Sequence, residues 1–292
     1  MRNNDERTGA VPQVDSPAPS QETEQRSGGL SYVAPTEFVE IPSRGRFYHE
    51  GHPLRGVSSV EIKQMTAREE DILTSKALLK QGVAIDRFLQ SVLVDKKITP
   101  ENLLVGDKNA LIVAARCSGY GNEYGTKVTC PACQSTNDVA VDLLEARIPR
   151  HGYVDSEAGS DALDGVEGPT TTGNYIITLP VTNARVEVKL MNGRDEKAFT
   201  KRLQIRKKKK QGEAMLTDQF KTFIVSINNV NIAKQMFQFI DNLPVRDSRF
   251  LRTAYNKISP AIELKHDFEC TECGYEQEVE VPITAQFFWP DS

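Results

Sequence analysis

Two Cys-x-x-Cys turns constrain this chain more than any other feature. They are "CPAC" at Cys130–Cys133 and "CTEC" at Cys270–Cys273, the second beginning 137 positions after Cys133. One Zn²⁺ takes four soft ligands in a tetrahedron, and each turn supplies two thiolates from a single tight loop. The flanks match as well: "KVTCPACQSTNDVAVDL" aligns with "DFECTECGYEQEVEVPI". In each, a strand enters the first Cys and an alternating strand leaves, with Val139, Val141 and Leu143 opposite Val279, Val281 and Ile283. Two such knuckles with hairpin strands make a zinc ribbon, and the long insertion does not forbid it. Closing a loop of that length costs about 4 kcal/mol above a constant. Structural zinc in small peptides is worth about 10–16 kcal/mol.

Three readings of the cysteines stand beside one another. In the favoured one, Cys130, Cys133, Cys270 and Cys273 hold a single structural zinc. In the second, each pair is a separate redox centre; neither pair opens a helix after a strand, where a thiol pKa would fall. In the third, the knuckles are metal-free turns. Four thiolates close the shell and leave no position for water or substrate, so zinc hydrolysis is not expected. The N-terminus "MRNNDERTGAVPQ" has no apolar stretch of the signal-peptide kind, and no apolar run reaches bilayer length. A reducing cytoplasm is therefore expected, and five cysteines there do not read as a disulfide framework. Cys117, on the apolar side of a helix, reads as a small buried hydrophobe.

The 292 residues, 39% hydrophobic, suffice for one large domain or two modest ones. Four stretches are expected. Residues 1–35 are polar and form a disordered tail. Residues 36–153 form a helical half ending in the first knuckle. Residues 154–173 form an acidic linker with Asp155, Glu157, Asp161, Asp164 and Glu167 and no base. Residues 174–292 form an α+β half carrying the second knuckle. Within the first half, Thr66 and Glu69 form a capping box, Gly82 stops or bends its helix, and Thr99-Pro100 starts another. Asp107 is expected to cap "KNALIVAARCS", which Gly119 ends. In the second half, "NYIITLP" and "RVEVKLM" pair as strands turning at Thr182–Ala184. Helices follow over "GRDEKAFTKRLQIRKKKKQG", "AMLTDQFKTFIVSI", "NIAKQMFQFIDNL" and, opened by Asp247, "DSRFLRTAYNKIS". The fold class is α+β: helical bundles around a split four-cysteine zinc ribbon, with a disordered N-terminal tail.

Other candidates are weaker. His49 and His52 in "HEGH" lie in a Gly/Pro-rich stretch without helical context and read as an exposed turn. His266 reads as a ribbon surface residue. From Arg194 to Lys210 there are nine bases against two acids. That run suggests a nucleic-acid-binding alternative using Lys207–Lys210 (Lys207, Lys208, Lys209 and Lys210), but few aromatics interleave for base stacking. A net charge of −4 also argues against a dedicated nucleic-acid binder. Phe287, Phe288 and Trp289 are expected to pack on their own domain or on a partner, with the domain favoured and some contribution to an interface. There is no GxGxxG, Walker loop, nucleophile elbow or HExxH, so no enzyme activity is expected.

The ordered set "IPSRGRFYHEG", "MTAREEDILTSKALLKQG" and "LLVGDKNALIVAARCSGYGNEYGTKVTCPAC", within Phe38–Leu143, carries a resemblance. It is similar to the baseplate hub and hub-assembly proteins of T-even-like contractile-tailed bacteriophages, and the second knuckle and "FFWP" are consistent with their ending. The resemblance implies a hub component or an assembly chaperone acting by protein–protein contacts. Its partners would be other baseplate hub proteins, met in the host cytoplasm during assembly and in the virion tail baseplate. The acidic linker and the lysine run have no counterpart in it.

Overall fold

A hairpin whose tip is folded inward opens the fold. Strands β1 (Thr36–Glu40) and β2 (Ser59–Lys63) pair antiparallel from Thr36 opposite Lys63 to Glu40 opposite Ser59. The alternation places Val39, Val60 and Ile62 in the core and leaves Phe38 outside. The computed structural model describes residues 33–145, 147–152, 163–208, 214–281 and 285–288. The expected tail up to residue 32, acidic residues 153–162, Lys209, Lys210 and Trp289 lie outside the described residues. The fold described is that of the unit Ala34–Ser292.

The capping box forms as the sequence predicts: helix α1 (Ala67–Thr74) starts after Thr66, and Glu69 accepts the Thr66 amide at 3.0 Å. The helix does not run on to Gly82. It breaks at Ser75, whose hydroxyl accepts from Leu78 and caps α2 (Lys76–Gln81). Gly82, at φ +69°, ends α2 in the left-handed conformation that glycine adopts freely. Helix α3 (Ala84–Val92) buries Phe88, Leu89 and Val92, and Pro100–Asn102 forms a 3₁₀ turn behind Thr99.

Helix α4 (Val105–Tyr120) is the central element. Every residue from Ala110 to Arg116 is buried, the pattern of a helix packed on all sides. It ends at Gly121, not Gly119. Gly119 instead lets Met65 approach; a Cβ there would lie 2.6 Å from the Met65 sulfur.

The remaining strands form small antiparallel sheets. Strands β3 (Glu123–Thr129) and β4 (Thr136–Asp142) make the first knuckle hairpin. Strand β5 (Arg147–Arg150) joins the edge of β10 (Ala261–Glu269), which pairs with β11 (Glu276–Glu280) as the second knuckle hairpin. A four-stranded sheet has the order β6 (Val166–Glu167), β7 (Tyr175–Thr178), β8 (Arg185–Val188), β9 (Ile224–Ile227). Within the acidic segment, therefore, Val166–Glu167 is a strand, and Glu167 pairs with Arg185 at 2.9 Å. Helix α5 (Gly193–Lys208) has acids first and bases last, and α6 (Met215–Phe223) gives way to β9 where one longer helix is expected. Helices α7 (Ala233–Asp241) and α8 (Val245–Ile258) follow. The chain is thus a mixed α/β protein with eight α-helices among the described residues.

Two expected caps are corrected. Asp107 and Asp247 lie inside the first turns of α4 and α8, not at their N-caps. Both are buried, and both turn outward from the helix to hold a distant loop. Asp107 accepts from the Ser43 amide (2.9 Å), the Ser43 hydroxyl (2.6 Å) and the Tyr48 hydroxyl (2.7 Å). Asp247 accepts from the Val181 amide (2.8 Å) and from Thr182, amide at 3.0 Å and hydroxyl at 2.7 Å. These bonds fix the turns that follow β1 and β7.

Candidate metal centre

The two knuckles have the same backbone. In the first, the Cys130 amide donates to Ser135 O (2.8 Å) and the Gln134 amide to Cys130 O (2.9 Å). In the second, the Cys270 amide donates to Tyr275 O and the Gly274 amide to Cys270 O, each at 2.9 Å. Both close on a left-handed residue after the second Cys, Gln134 at φ +62° and Gly274 at φ +66°. Glycine takes that conformation at no steric cost, whereas a side-chain-bearing residue gives up about 1–2 kcal/mol. Gln134 holds it inside the knuckle all the same.

Because β3–β4 and β10–β11 bring their tips together, the four sulfurs converge. Cys130, Cys133, Cys270 and Cys273 place their Sγ atoms within 4.8 Å of one another. Cys130 Sγ to Cys273 Sγ is 3.7 Å, and so is Cys133 Sγ to Cys270 Sγ. Disulfide bonding would require about 2.05 Å. A tetrahedral thiolate site with metal–sulfur bonds of about 2.3 Å puts its sulfurs about 3.8 Å apart. The donor set and its spacing therefore fit a tetrahedral thiophilic ion. The first Cys of each knuckle is buried and the second exposed.

Below the sulfurs lies a small apolar plug of Phe268 with Val128, Val139 and Val279. Asn137 joins the hairpins. Its Oδ1 accepts from the Thr271 amide (2.9 Å) and hydroxyl (2.7 Å), while its Nδ2 donates toward Cys270 Sγ at 3.6 Å. The Ser135 hydroxyl lies 3.3 Å from the same sulfur. That hydroxyl is the leading cause pushing the Cys270 thiol down to about 5. Cys273 goes the other way: the Tyr275 amide favours its thiolate, but hydrogen bonding with Cys133 and burial push it up to about 12. A cation ligated by thiolates displaces their protons.

Asn137 and Ser135 are not among the residues that cysteine spacing points to. A signal was present. Asn137 has the same parity as Val139 and Val141, so a polar side chain stands on the inward face of β4, where it must find a partner.

The other candidates lie apart from this cluster, which is the one group of three or more His, Cys, Asp or Glu able to hold a metal among the described residues. Cys117 is half-buried against the core, and burial pushes its thiol pKa up. His49 is exposed. His52 is half-buried, stacks on Tyr48 at 4.2 Å and has its pKa lowered by burial and then by His49. His266 is half-buried opposite Val279. Lys207 and Lys208 are exposed at the end of α5, while Arg206 is tied to Asp218 at 2.8 Å. Phe287 and Phe288 are buried against Tyr124 and Phe88, with centroids at 5.1 and 5.0 Å.

No helix among the described residues is long and apolar enough to cross a membrane. No curated protein and no solved structure matches the chain. Residues 36–289, which hold both knuckles and every element that positions them, match the family described as T4 bacteriophage base plate protein, and the chain belongs to that family.

Proposed function

We propose that this base plate protein is a hub component or hub-assembly chaperone that acts by protein–protein contacts and carries one structural zinc. Cys130, Cys133, Cys270 and Cys273 would be its ligands. The observation that carries the reading is the convergence of four sulfurs, two from each of two distant stretches, within 4.8 Å. A closed thiolate shell stabilises rather than catalyses. Zinc held this way would pin β3–β4 to β10–β11 and so fix the surfaces offered to other baseplate components. No catalytic role is proposed for any residue.

The test is genetic and compositional. A phage lacking the gene is expected to make no infectious tails, and mass spectrometry of purified wild-type virions then separates the two roles. A hub component is present at fixed copy number; a chaperone is absent from the finished particle. Normal infectious tails made without the gene would overturn the reading.

A further inference from the structure

The two halves of the chain are built from matching parts, and one joint between those parts is made on one side only. Val60–Glu70 reads VEIKQMTAREE and Val186–Glu196 reads VEVKLMNGRDE; Leu103–Asp107 reads LLVGD and Leu243–Asp247 reads LPVRD. Matched residues make matched bonds. Glu69 pairs with Lys63 at 2.8 Å and accepts the Thr66 amide at 3.0 Å. Asp195 pairs with Lys189 at 2.6 Å and accepts the Asn192 amide at 3.3 Å. Asp107 and Asp247 stand third in their helices, at the same distance before their knuckles, and each holds the turn after a strand.

In one pairing these parts meet. The start of α4 docks on the start of α5: the Val105 amide donates to Met191 O and the Gly193 amide to Leu103 O, both at 3.0 Å. The result is a one-residue antiparallel bridge between Leu104 and Asn192, both ends of which are covered, with Leu104 and Gly193 buried. The counterparts are left open. Val245, at the start of α8, is 84% exposed, and Ala67 and Arg68, at the start of α1, are exposed. Among the described residues the Val245 amide, Leu243 O, the Ala67 amide and Met65 O have no hydrogen-bond partner. Each open end thus presents one donor and one acceptor two residues apart in the chain, as in the inner bridge, and Val245 adds an uncovered apolar side chain.

We propose that a second copy of this chain completes the joint. Leu243–Val245 of one molecule adds to Met65–Ala67 of the next, the Val245 amide donating to Met65 O and the Ala67 amide to Leu243 O. Two different patches meet, so the contact is heterologous and builds a ring or a head-to-tail row, not a twofold dimer. It is also looser than the inner joint. A Cβ on Gly193 would lie 2.9 Å from Pro100 O, and the matching position is Ala67. Association between copies is therefore reversible and concentration-dependent, while the inner joint is permanent.

The test uses the full-length, zinc-loaded chain in sedimentation velocity over a concentration series, where mass is expected to rise above that of the monomer. Val245→Asp changes an exposed side chain and is expected to weaken association roughly tenfold or more. Ala67→Gly restores the glycine of the inner joint and is expected to tighten it. Geometry is read by mixing a chain carrying Ala67→Cys with one carrying Val245→Cys: the mixture forms an intermolecular disulfide, and Val245→Cys alone does not. Monomer mass at every concentration would overturn the proposal. So would association indifferent to Val245→Asp, or a link formed between two Val245→Cys chains.

Discussion

The Tyr48 hydroxyl donates to Asp107 Oδ2 at 2.7 Å and accepts the Leu104 amide at 3.1 Å, so one phenol joins the loop after β1 to both the body and the entrance of α4. Asp107 is buried, and burial is the leading cause that pushes its carboxyl above the usual range. Asp107→Ala strips three donors of their acceptor and is expected to cost about 2–4 kcal/mol, because buried donors left unpaired lose their desolvation compensation. Tyr48→Phe removes one of those bonds and leaves the Leu104 amide unpaired, for about 1–3 kcal/mol. The double variant should cost less than the sum, since both changes remove the same bond. Urea denaturation of the four chains measures this.

Glu69 carries the pH dependence. Burial alone would raise its pKa, but hydrogen bonds from Lys63, Ser91 and Thr66 hold it down at about 2, against an ordinary value of 4.5. A carboxylate depressed in the folded state stabilises above its unfolded pKa, and that stability is lost as pH falls through the folded value. The melting-temperature gap between wild type and Glu69→Gln should be full at pH 7 and shrink from about pH 5 toward pH 2. A gap independent of pH would show that Glu69 acts through packing alone.

Arg116 holds the C-terminal turn. It is buried, and its guanidinium donates to Phe287 O (2.9 Å), Gly121 O (2.6 Å) and Glu123 O (3.0 Å), with Tyr120, Tyr124 and Phe287 rings around it. A planar fork spans three carbonyls; a lysine ammonium is a compact point charge on a flexible stem and does not reproduce that fork. Arg116→Lys should therefore fail to rescue, costing about 2–4 kcal/mol. Limited proteolysis should cut the C-terminal segment of this variant faster than that of wild type.

Gly106 and Gly193 are fixed by close backbone approach. A Cβ on Gly106 would meet Pro260 O at 2.1 Å, so Gly106→Ala must move α4 against β10 and should cost at least the roughly 1–3 kcal/mol of ordinary overpacking. The same change at solvent-facing Gly51, where a Cβ meets nothing within 4 Å, lacks that steric cost. Its φ of +85° still brings strain, about 1–2 kcal/mol. Thermal melts of the two variants compare them directly.

Local signals in the sequence were reliable where a side chain acts on its own backbone. Thr66 with Glu69 and Gly82 behave as their types dictate, and the knuckles follow from cysteine spacing. Side chains that act at long range carry no such local signal. Asp107 and Asp247 have the grammar of helix caps, yet their partners lie 59 or more positions away, and only the fold brings them near. The turn from α6 into β9 was hidden because Phe223, Ile224 and Ile227 are apolar at spacings that suit helix and buried strand alike. The matching of Val60–Glu70 with Val186–Glu196 was legible in the letters, but its consequence, one joint made and one left open, was not.

Four sulfurs from two distant turns are proposed to share one ion. Native mass spectrometry of the full-length chain, purified without chelator, reads that ion out. One zinc per chain is expected, lost together with most of the thermal stability when Cys270 is changed to Ser. A folded chain that carries no metal, and melts at the same temperature with or without that substitution, would contradict it.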